Sequence, residues 1–264
     1  MPNIRRGMMG ASGVSTGPVY VGAPPDGYRA WYRADTVTEA GGAVSQWDDK
    51  SGNDFHIGVM DTDYKPTLNT ADSNLNDMPS INLGIDDGDN PYKFYNSSGS
   101  PDFQEILDNT TAAIFEEFTM IFVYYVQGAS NFNYSSWFGD NPGFMWFGLH
   151  NATQFSTGND TFYSPGGQNE SFGSILNAQG GTDGSITITV ETSGETTTTY
   201  TTWNSYDRAH GRTAGVTIGG GGTSAPGFYV KGQLADVIIY NTSLDTTDTN
   251  TVKDYIANSY GITW

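Results

Sequence analysis

The ten residues 118–127, FTMIFVYYVQ, restrict the fold more than any other stretch of this chain. Bulky, β-prone side chains stand at nearly every position. A strand with one face in water would instead alternate apolar and polar residues. The run therefore predicts a central strand that is buried on both faces.

The composition favours strands and turns over helices. Aromatic residues make up 14% of the sequence, and there are 34 glycines. Aromatic and β-branched residues are enriched in strands, and glycine is enriched in the tight turns between them. We therefore expect many short strands around a core that depends on Tyr, Phe and Trp.

The clearest hairpin is predicted at residues 185–203, where Ile186, Ile188 and Val190 alternate with Thr. Ser193-Gly194 supplies the turn, and a Thr-rich strand returns. A second pair of strands is predicted at 136–139 and 143–150.

Two helices are predicted, a short one around 101–109 and a longer one at the C-terminus. In the longer helix Asp245 is a candidate N-cap and Gly261 ends the helix. Val252, Tyr255 and Ile256 form one apolar stripe along it.

The chain divides into an arm and a domain. Residues 1–25 contain five Gly together with Pro18, Pro24 and Pro25, and such a stretch cannot build a core of its own. It is either disordered or ordered by lying on another surface. Residues 26–264 form one domain, whose many short strands and turn signals indicate an all-β, two-sheet antiparallel sandwich.

The charge argues against nucleic acid and membranes as partners. The net charge is −18, and because Arg5 and Arg6 are the charged residues of the arm, residues 26–264 carry −20. A polyanion or an anionic lipid surface would be repelled by such a domain. There is no cysteine, so the fold cannot depend on disulfides.

Two stretches at opposite ends of the domain resemble one known family. Residues 31–35, WYRAD, are followed by AVSQWDDKSGN at 43–53, and GQLADVIIY at 232–240 precedes a helix that closes on Tyr260-Gly261-Ile262. This looks like the opening and the end of concanavalin A-like, laminin-G-like jelly-roll domains. The resemblance implies a jelly-roll sandwich with an extended N-terminal arm and a short C-terminal helix.

The opening stretch MPNIRRGMMGASG resembles the beginnings of structural proteins of tailed bacteriophages. Such proteins start without a signal peptide, and the resemblance implies a virion protein that is made in the host cytoplasm. Within the arm, Arg5 and Arg6 are candidates to pair with carboxylates of a partner, and Met8 and Met9 are candidates to fill irregular grooves.

No catalytic pattern is apparent in the sequence. Hydrolases with this jelly roll usually carry their carboxylates on one strand, as Glu-x-Asp-x-(x)-Glu, and this chain has no such spacing. Glu116 and Glu117 are adjacent, so on a strand they would face opposite sides. We therefore predict that the chain is not an enzyme.

Two weaker sites are also predicted. Asp86, Asp87 and Asp89 lie on one tight loop and offer the hard oxygen ligands that Ca²⁺ prefers, although a solvated acidic turn has the same composition. Tyr134, Trp137 and Trp146 are candidate stacking platforms for carbohydrate. The alternative for both tryptophans is the core, since they stand in apolar, strand-like runs.

These observations lead to two main hypotheses about function and to a third, a glycan-cleaving enzyme that lacks the known carboxylate motif. The first is a non-enzymatic virion structural protein, a capsid decoration protein or a surface appendage, whose arm attaches to a major capsid or tail shell protein. Shell symmetry would then favour a homo-oligomer, for which a trimer is one option. The alternative is a lectin-like adhesion module on a tail or fibre that binds host-surface glycans, with or without calcium.

Overall fold

The computed structural model describes about three fifths of the chain. The described residues are 19–59, 65–83, 85–86, 90–91, 94–95, 103–107, 117–127, 135–140, 146–151, 154–157, 160–163, 170–180, 186–195, 197–201, 216–219 and 232–264.

Strands dominate these residues, as the composition predicts. In chain order they are β1 (Ala30–Ala40), β2 (Ala43–Asp49), β3 (Ile57–Gly58), β4 (Thr67–Asp72), β5 (Met78–Asn82), β6 (Ile85–Asp86), β7 (Asn90–Pro91), β8 (Phe94–Tyr95), β9 (Glu117–Val126), β10 (Ser135–Asp140), β11 (Trp146–Asn151), β12 (Gln154–Thr157), β13 (Asp160–Tyr163), β14 (Glu170–Gly180), β15 (Ile186–Thr192), β16 (Thr198–Thr201), β17 (Val216–Ile218) and β18 (Gly232–Tyr240). The helices are α1 (Phe103–Ile106) and α2 (Thr246–Tyr260), and a single 3-10 turn covers Ser73–Leu75. The prediction of a mostly β protein with a C-terminal helix is confirmed.

The strands form a large and a smaller antiparallel sheet, with β6 and β7 as a separate pair. The large sheet runs in the order β1-β2-β4-β5-β18-β9-β14-β15-β16, with β3 beside β2. The smaller sheet runs β13-β12-β11-β10-β17-β8. The predicted pairing of β10 with β11 and the hairpin of β15 with β16 are both present.

Strand β18 organises the large sheet. Along its whole length one edge pairs with β9. The other edge is divided, because Leu234 pairs with Ile81 of β5 and residues 236–239 pair with residues 30–33 of β1. Five strands, β1, β2, β4, β5 and β18, therefore close into a ring.

The close approach of β18 to β9 explains a glycine of the C-terminal motif. A Cβ on Gly232 would lie 2.1 Å from the carbonyl oxygen of Tyr125, which no side chain can tolerate. Gly232 is thus required where β18 begins.

The main core lies between the two sheets. Phe118, Met120 and Phe122 of β9 face it, together with Phe94 and Ile218 from the smaller sheet. All five side chains are fully buried.

The opposite face of the large sheet is covered by α2. Ile121 and Val123 of β9 pack there with Val252, Tyr255 and Ile256, the stripe predicted from the sequence. Since alternate residues of a strand point to opposite faces, the two cores account for the unbroken apolar run in β9. The prediction that this strand is buried on both faces is confirmed.

The ends of α2 are as predicted. The Asp245 carboxylate accepts a hydrogen bond from the Asp248 N–H at 2.9 Å, and Gly261 ends the helix with φ of 70°. Among the described helices, none has the length and apolar character needed to cross a bilayer.

The corner after β2 is organised by Asp49. Its carboxylate accepts hydrogen bonds from the main-chain N–H groups of Trp31 and Ser51, each at 2.9 Å, and from that of Phe55 at 3.2 Å. Two residues earlier, Trp47 is fully buried and packs on Phe94 with ring centres 5.3 Å apart. This part of the motif is therefore a polar corner held next to an aromatic anchor.

Candidate functional site

A pocket of about 320 Å³ opens at the C-terminal end of α2. Its floor is the start of β14, and its walls come from the 3-10 turn, the β15–β16 turn and the residues that follow α2. The lining residues are Asn74, Glu170, Ser171, Phe172, Ser193, Gly194, Tyr260, Gly261, Ile262 and Thr263.

One wall is tied to both the floor and the helix. The Ser171 hydroxyl donates a hydrogen bond to the carbonyl oxygen of Asn74. Nearby, the side-chain amide of Asn76 donates to the carbonyl oxygen of Ser259 in the last turn of α2, at 3.0 Å. The 3-10 turn is thus fixed against the two other elements that line the pocket.

The opposite wall is the tight turn that the sequence predicts at Ser193-Gly194. Gly194 has φ of 77°, which a glycine adopts without strain. The main chains of Gly173 and Ser193 hold this turn on β14, because the Ser193 N–H donates to the Gly173 carbonyl at 2.9 Å and the Gly173 N–H donates to the Ser193 hydroxyl at 3.0 Å.

Trp264 lies beside this pocket. It follows the lining residues Ile262 and Thr263, and its ring occupies the space above Gly173, where a Cβ would lie 2.9 Å from the Cζ2 atom of the indole. Its exposed fraction is 37%, the highest of any aromatic side chain described in the structure. Gly173 is therefore what allows an aromatic ring to approach the sheet this closely next to the pocket.

A cation flanks the same ring. The Lys253 ammonium lies 5.3 Å from the centre of the Trp264 ring and forms an ion pair with Glu191 of β15. Both partners are about one quarter exposed, so the pair helps fix the ring and leaves Lys253 neutralised.

Beneath α2 lies a buried carboxylate, Asp236 of β18. It accepts hydrogen bonds from Trp31 Nε1 at 2.7 Å, from the Tyr255 hydroxyl at 2.6 Å and from the Tyr260 hydroxyl at 2.9 Å. Burial raises the pKa of Asp236 from 3.8 to about 6, and these bonds together with the charge of Arg33 limit the rise.

Tyr260 connects this cluster to the pocket and to the N-terminal segment. Its ring lines the pocket, its hydroxyl donates to Asp236, and its ring packs edge-on against Tyr20 with centres 6.1 Å apart. The Arg33 guanidinium lies 3.6 Å from the centre of the Tyr20 ring.

The same helical turn also holds the main chain of the N-terminal segment. The Val21 N–H donates to the Ser259 hydroxyl at 3.0 Å, and that hydroxyl donates to the Val21 carbonyl at 3.3 Å. Farther along, the Tyr240 hydroxyl donates to the Pro25 carbonyl at 2.8 Å. For residues 19–25, at least, the arm lies on its own domain.

The pocket offers hydroxyl, amide and carboxylate groups and lacks a basic side chain among its described lining residues. Within the described ranges, no three acidic or histidine side chains are grouped so that they could hold a metal ion. The chemistry available here is therefore hydrogen bonding to a polar ligand next to an aromatic ring.

The residues singled out from the sequence lie elsewhere. Arg5, Arg6, Met8 and Met9 fall outside the described residues, as do Asp87, Asp89 and Tyr134. Asp86 belongs to β6, and its carboxylate is not described. The calcium and arm sites stay predictions.

Trp137 and Trp146 are confirmed as strand residues, in the neighbouring strands β10 and β11 of the smaller sheet. The structure describes their main chain but not their side chains, so their role as stacking platforms stays a prediction. The large sheet, not the smaller one, carries the described pocket.

Sequence reasoning missed Trp264 and the pocket. The Ser193-Gly194 turn and the Tyr260-Gly261-Ile262 end were both recognised, but neither indicated that they meet across β14. The one local signal was Gly173, a glycine inside the strand pattern of residues 170–180, since such a glycine marks a close approach of another group.

Comparisons with known proteins bear on the fold. No protein-family model matches the chain, and no curated protein matches it. Among solved structures it is similar to Trypanosoma rangeli sialidase in complex with sialic acid, with 10% identity and a TM-score of 0.52, over 89% of this chain and 33% of that one. It is also similar to an arabinofuranosidase complexed with arabinofuranosyl-alpha-1,2-xylobiose, with 14% identity and a TM-score of 0.55, over 91% of this chain and 60% of that one.

The chain thus spans between a third and three fifths of these solved structures, and at such identities the likeness shows the fold alone. It nevertheless contradicts the prediction that the chain is not an enzyme, because the matching chains are glycosidases. The prediction depended on finding carboxylates spaced along one strand. Carboxylates that converge from different strands leave no such spacing in the sequence.

Proposed function

We propose that this chain is a carbohydrate-binding protein and that the pocket at the end of α2 is its binding site. The observation that carries the proposal is Trp264, a partly exposed ring beside a pocket with a polar lining. A sugar ring presents hydroxyl groups at its edge and C–H groups on its faces. Sites for such ligands combine a few placed polar groups with an aromatic surface.

The polar lining can both donate hydrogen bonds to sugar hydroxyl groups and accept hydrogen bonds from them. The Glu170 carboxylate accepts hydrogen bonds only, whereas the hydroxyl of Ser193 accepts one from Gly173 and keeps its own proton to donate. A pocket that contains both donors and acceptors suits a sugar, because each sugar hydroxyl can donate a hydrogen bond and accept others.

The proposed scaffold is the concanavalin A-like jelly roll. Two observations support it: two antiparallel sheets share one core, and the WYRAD and WDDKSGN stretches form the corner built on Asp49. The closed ring that includes β1 and β18 is an addition to the simple two-sheet arrangement.

The test is a glycan array probed with the full-length chain and with a Trp264→Ala variant. We expect the variant to lose at least tenfold in affinity for every glycan that the chain binds, since the ring supplies the apolar contact. Val19→Ala is the matched control, because Val19 is 67% exposed and is not one of the residues that line the pocket. Equal losses in both variants, or none in either, would contradict the proposal.

The same glycans are then incubated with the chain and the products are analysed, since the fold also occurs in glycosidases. The binding assay is repeated with EDTA to test the predicted calcium loop at residues 86–90. If Trp264→Ala abolishes binding while EDTA has no effect, the pocket acts without a metal.

A second candidate is a virion protein of a tailed phage, with the arm attached to a capsid or tail shell protein. Two observations favour it: the likeness of MPNIRRGMMGASG to phage structural proteins, and the contrast between a basic arm and a domain of charge −20. Glycan binding and display on a particle are compatible, because a particle that binds host glycans needs both an anchor and a binding surface.

Deletion of residues 1–18 tests the anchor without disturbing the domain, because residues 19–25 hold the contacts to α2 and β18. We expect incorporation into particles to be lost while the urea midpoint of the domain stays unchanged. Reversing the charge of Arg5 and Arg6 should weaken incorporation in the same direction. Normal incorporation of the deleted chain would refute the anchoring role.

A further inference from the structure

We infer that the pocket selects a neutral saccharide over an acidic one, an inference that rests on the proposed carbohydrate-binding function. The solved structures similar to this chain include one with sialic acid and one with a neutral arabinoxylan fragment. The charges around the pocket distinguish between these two ligand classes.

A carboxylate-bearing sugar needs a cationic partner. Proteins recognise carboxylates chiefly through Arg, which forms two parallel hydrogen bonds, or through the point charge of Lys. The described lining residues include neither. They include Glu170 instead, an exposed carboxylate at the start of β14.

The nearby cations are already engaged. Lys253 is paired with Glu191 and lies against the Trp264 ring. Arg33 forms two hydrogen bonds with Asp35, at 2.6 and 2.7 Å, and its guanidinium lies over the Tyr20 ring. An acidic ligand in the pocket would therefore meet Glu170 without a compensating charge.

The electrostatic field of the whole domain also disfavours acidic ligands. A charge of −20 on residues 26–264 lowers the local concentration of anions near the surface, and this effect weakens as salt is added. A neutral sugar experiences neither the local nor the general repulsion. The pocket volume of about 320 Å³ is at the lower end for ligand sites, which favours the end of a glycan over a long internal segment.

The experiment uses a glycan array built from matched pairs, each a neutral glycan and the same glycan capped with sialic or glucuronic acid. The full-length chain is applied at low and at high salt. We expect the neutral member to bind at least tenfold more tightly at low salt, with a smaller difference at high salt.

Variants then assign the selectivity to the pocket. Glu170→Gln should reduce the discrimination several-fold and Glu170→Lys should reduce it further, whereas Glu117→Gln, an exposed carboxylate on β9, should leave it unchanged. Tighter binding of the acidic members, or discrimination that Glu170 variants do not alter, would overturn the inference and leave carbohydrate binding intact. Absence of binding to any glycan would instead overturn the proposed function, and the inference with it.

Discussion

At the scale of single residues, Asp236 stands out because a carboxylate is buried beneath a helix with three neutral donors. An ion in this position is stabilised by hydrogen bonds from Trp31, Tyr255 and Tyr260 and by the nearby charge of Arg33. The pKa of Asp236 nevertheless stays raised, because the desolvation of the carboxylate destabilises its charged form more than these partners stabilise it.

This raised pKa makes the stability of the domain depend on pH. Between pH 3.8 and about 6 the unfolded chain gives up the Asp236 proton more readily than the folded one, so this group lowers stability as the pH rises through that interval. From the difference in pKa, its contribution is on the order of 3 kcal/mol less favourable at pH 7 than at pH 4. We expect the free energy of unfolding in urea to show this slope in the wild type and to lose it in Asp236→Asn.

Asp254→Asn is the matched control, because Asp254 is an exposed carboxylate on α2, the helix that covers Asp236. Its slope with pH should resemble that of the wild type. The groups that face Asp236 are Trp31 and Arg33 from β1, Tyr20 from the N-terminal segment, and Tyr255 and Tyr260 from α2. Because none of these groups titrates between pH 3.8 and 6, equal slopes for Asp236→Asn and the wild type would show that other carboxylates, and not Asp236, set the dependence.

At the scale of elements, α2 does more than cover the sheet. Its last turn holds the N-terminal segment on one side through Ser259 and Tyr260, and bounds the pocket on the other. The helix is itself fixed by the Asp245 cap and by the apolar stripe against β9. A change in how residues 19–25 pack on α2 would therefore be transmitted to the pocket through the last turn of that helix.

Removing the ring of Tyr20 should release this segment. Tyr20→Ala deletes the surface on which the Arg33 guanidinium lies and the edge contact with Tyr260. We expect the Val21 amide to lose at least tenfold of its protection from hydrogen exchange. Val19→Ala should leave that protection within twofold, since the Val19 side chain is mostly in solvent. Comparable protection in Tyr20→Ala and the wild type would mean that the hydrogen bonds to Ser259 suffice to hold the segment.

At the scale of the whole molecule, the sequence predicted what local pattern determines. The double-sided strand β9, the turn at Ser193-Gly194 and the two ends of α2 all follow from side-chain type and spacing, and the structure confirms them. The ring of five strands was not predictable in this way. It depends on a divided edge of β18, and nothing within residues 30–33 or 236–239 specifies that partner.

The binding site was less predictable than the fold for a related reason. Trp264 acquires its position from Gly173, some ninety residues earlier, and the pocket gathers three separate segments around β14. The aromatic residues and the acidic loop were predicted as sites from the residues next to them in the sequence. A site that is assembled from distant segments gives no such local sign.

The divided edge of β18 also bears on how the chain becomes folded during synthesis. Strand β1 emerges from the ribosome early, yet its partner residues 236–239 follow about two hundred residues later, in the strand β18 that also pairs with β5 and β9. Until then the strand edges of β1, β5 and β9 that pair with β18 have no partner. Pairings this far apart in sequence close slowly. The large sheet therefore stays incomplete, and prone to aggregation, for most of translation. We expect the nascent chain to need molecular chaperones during that time.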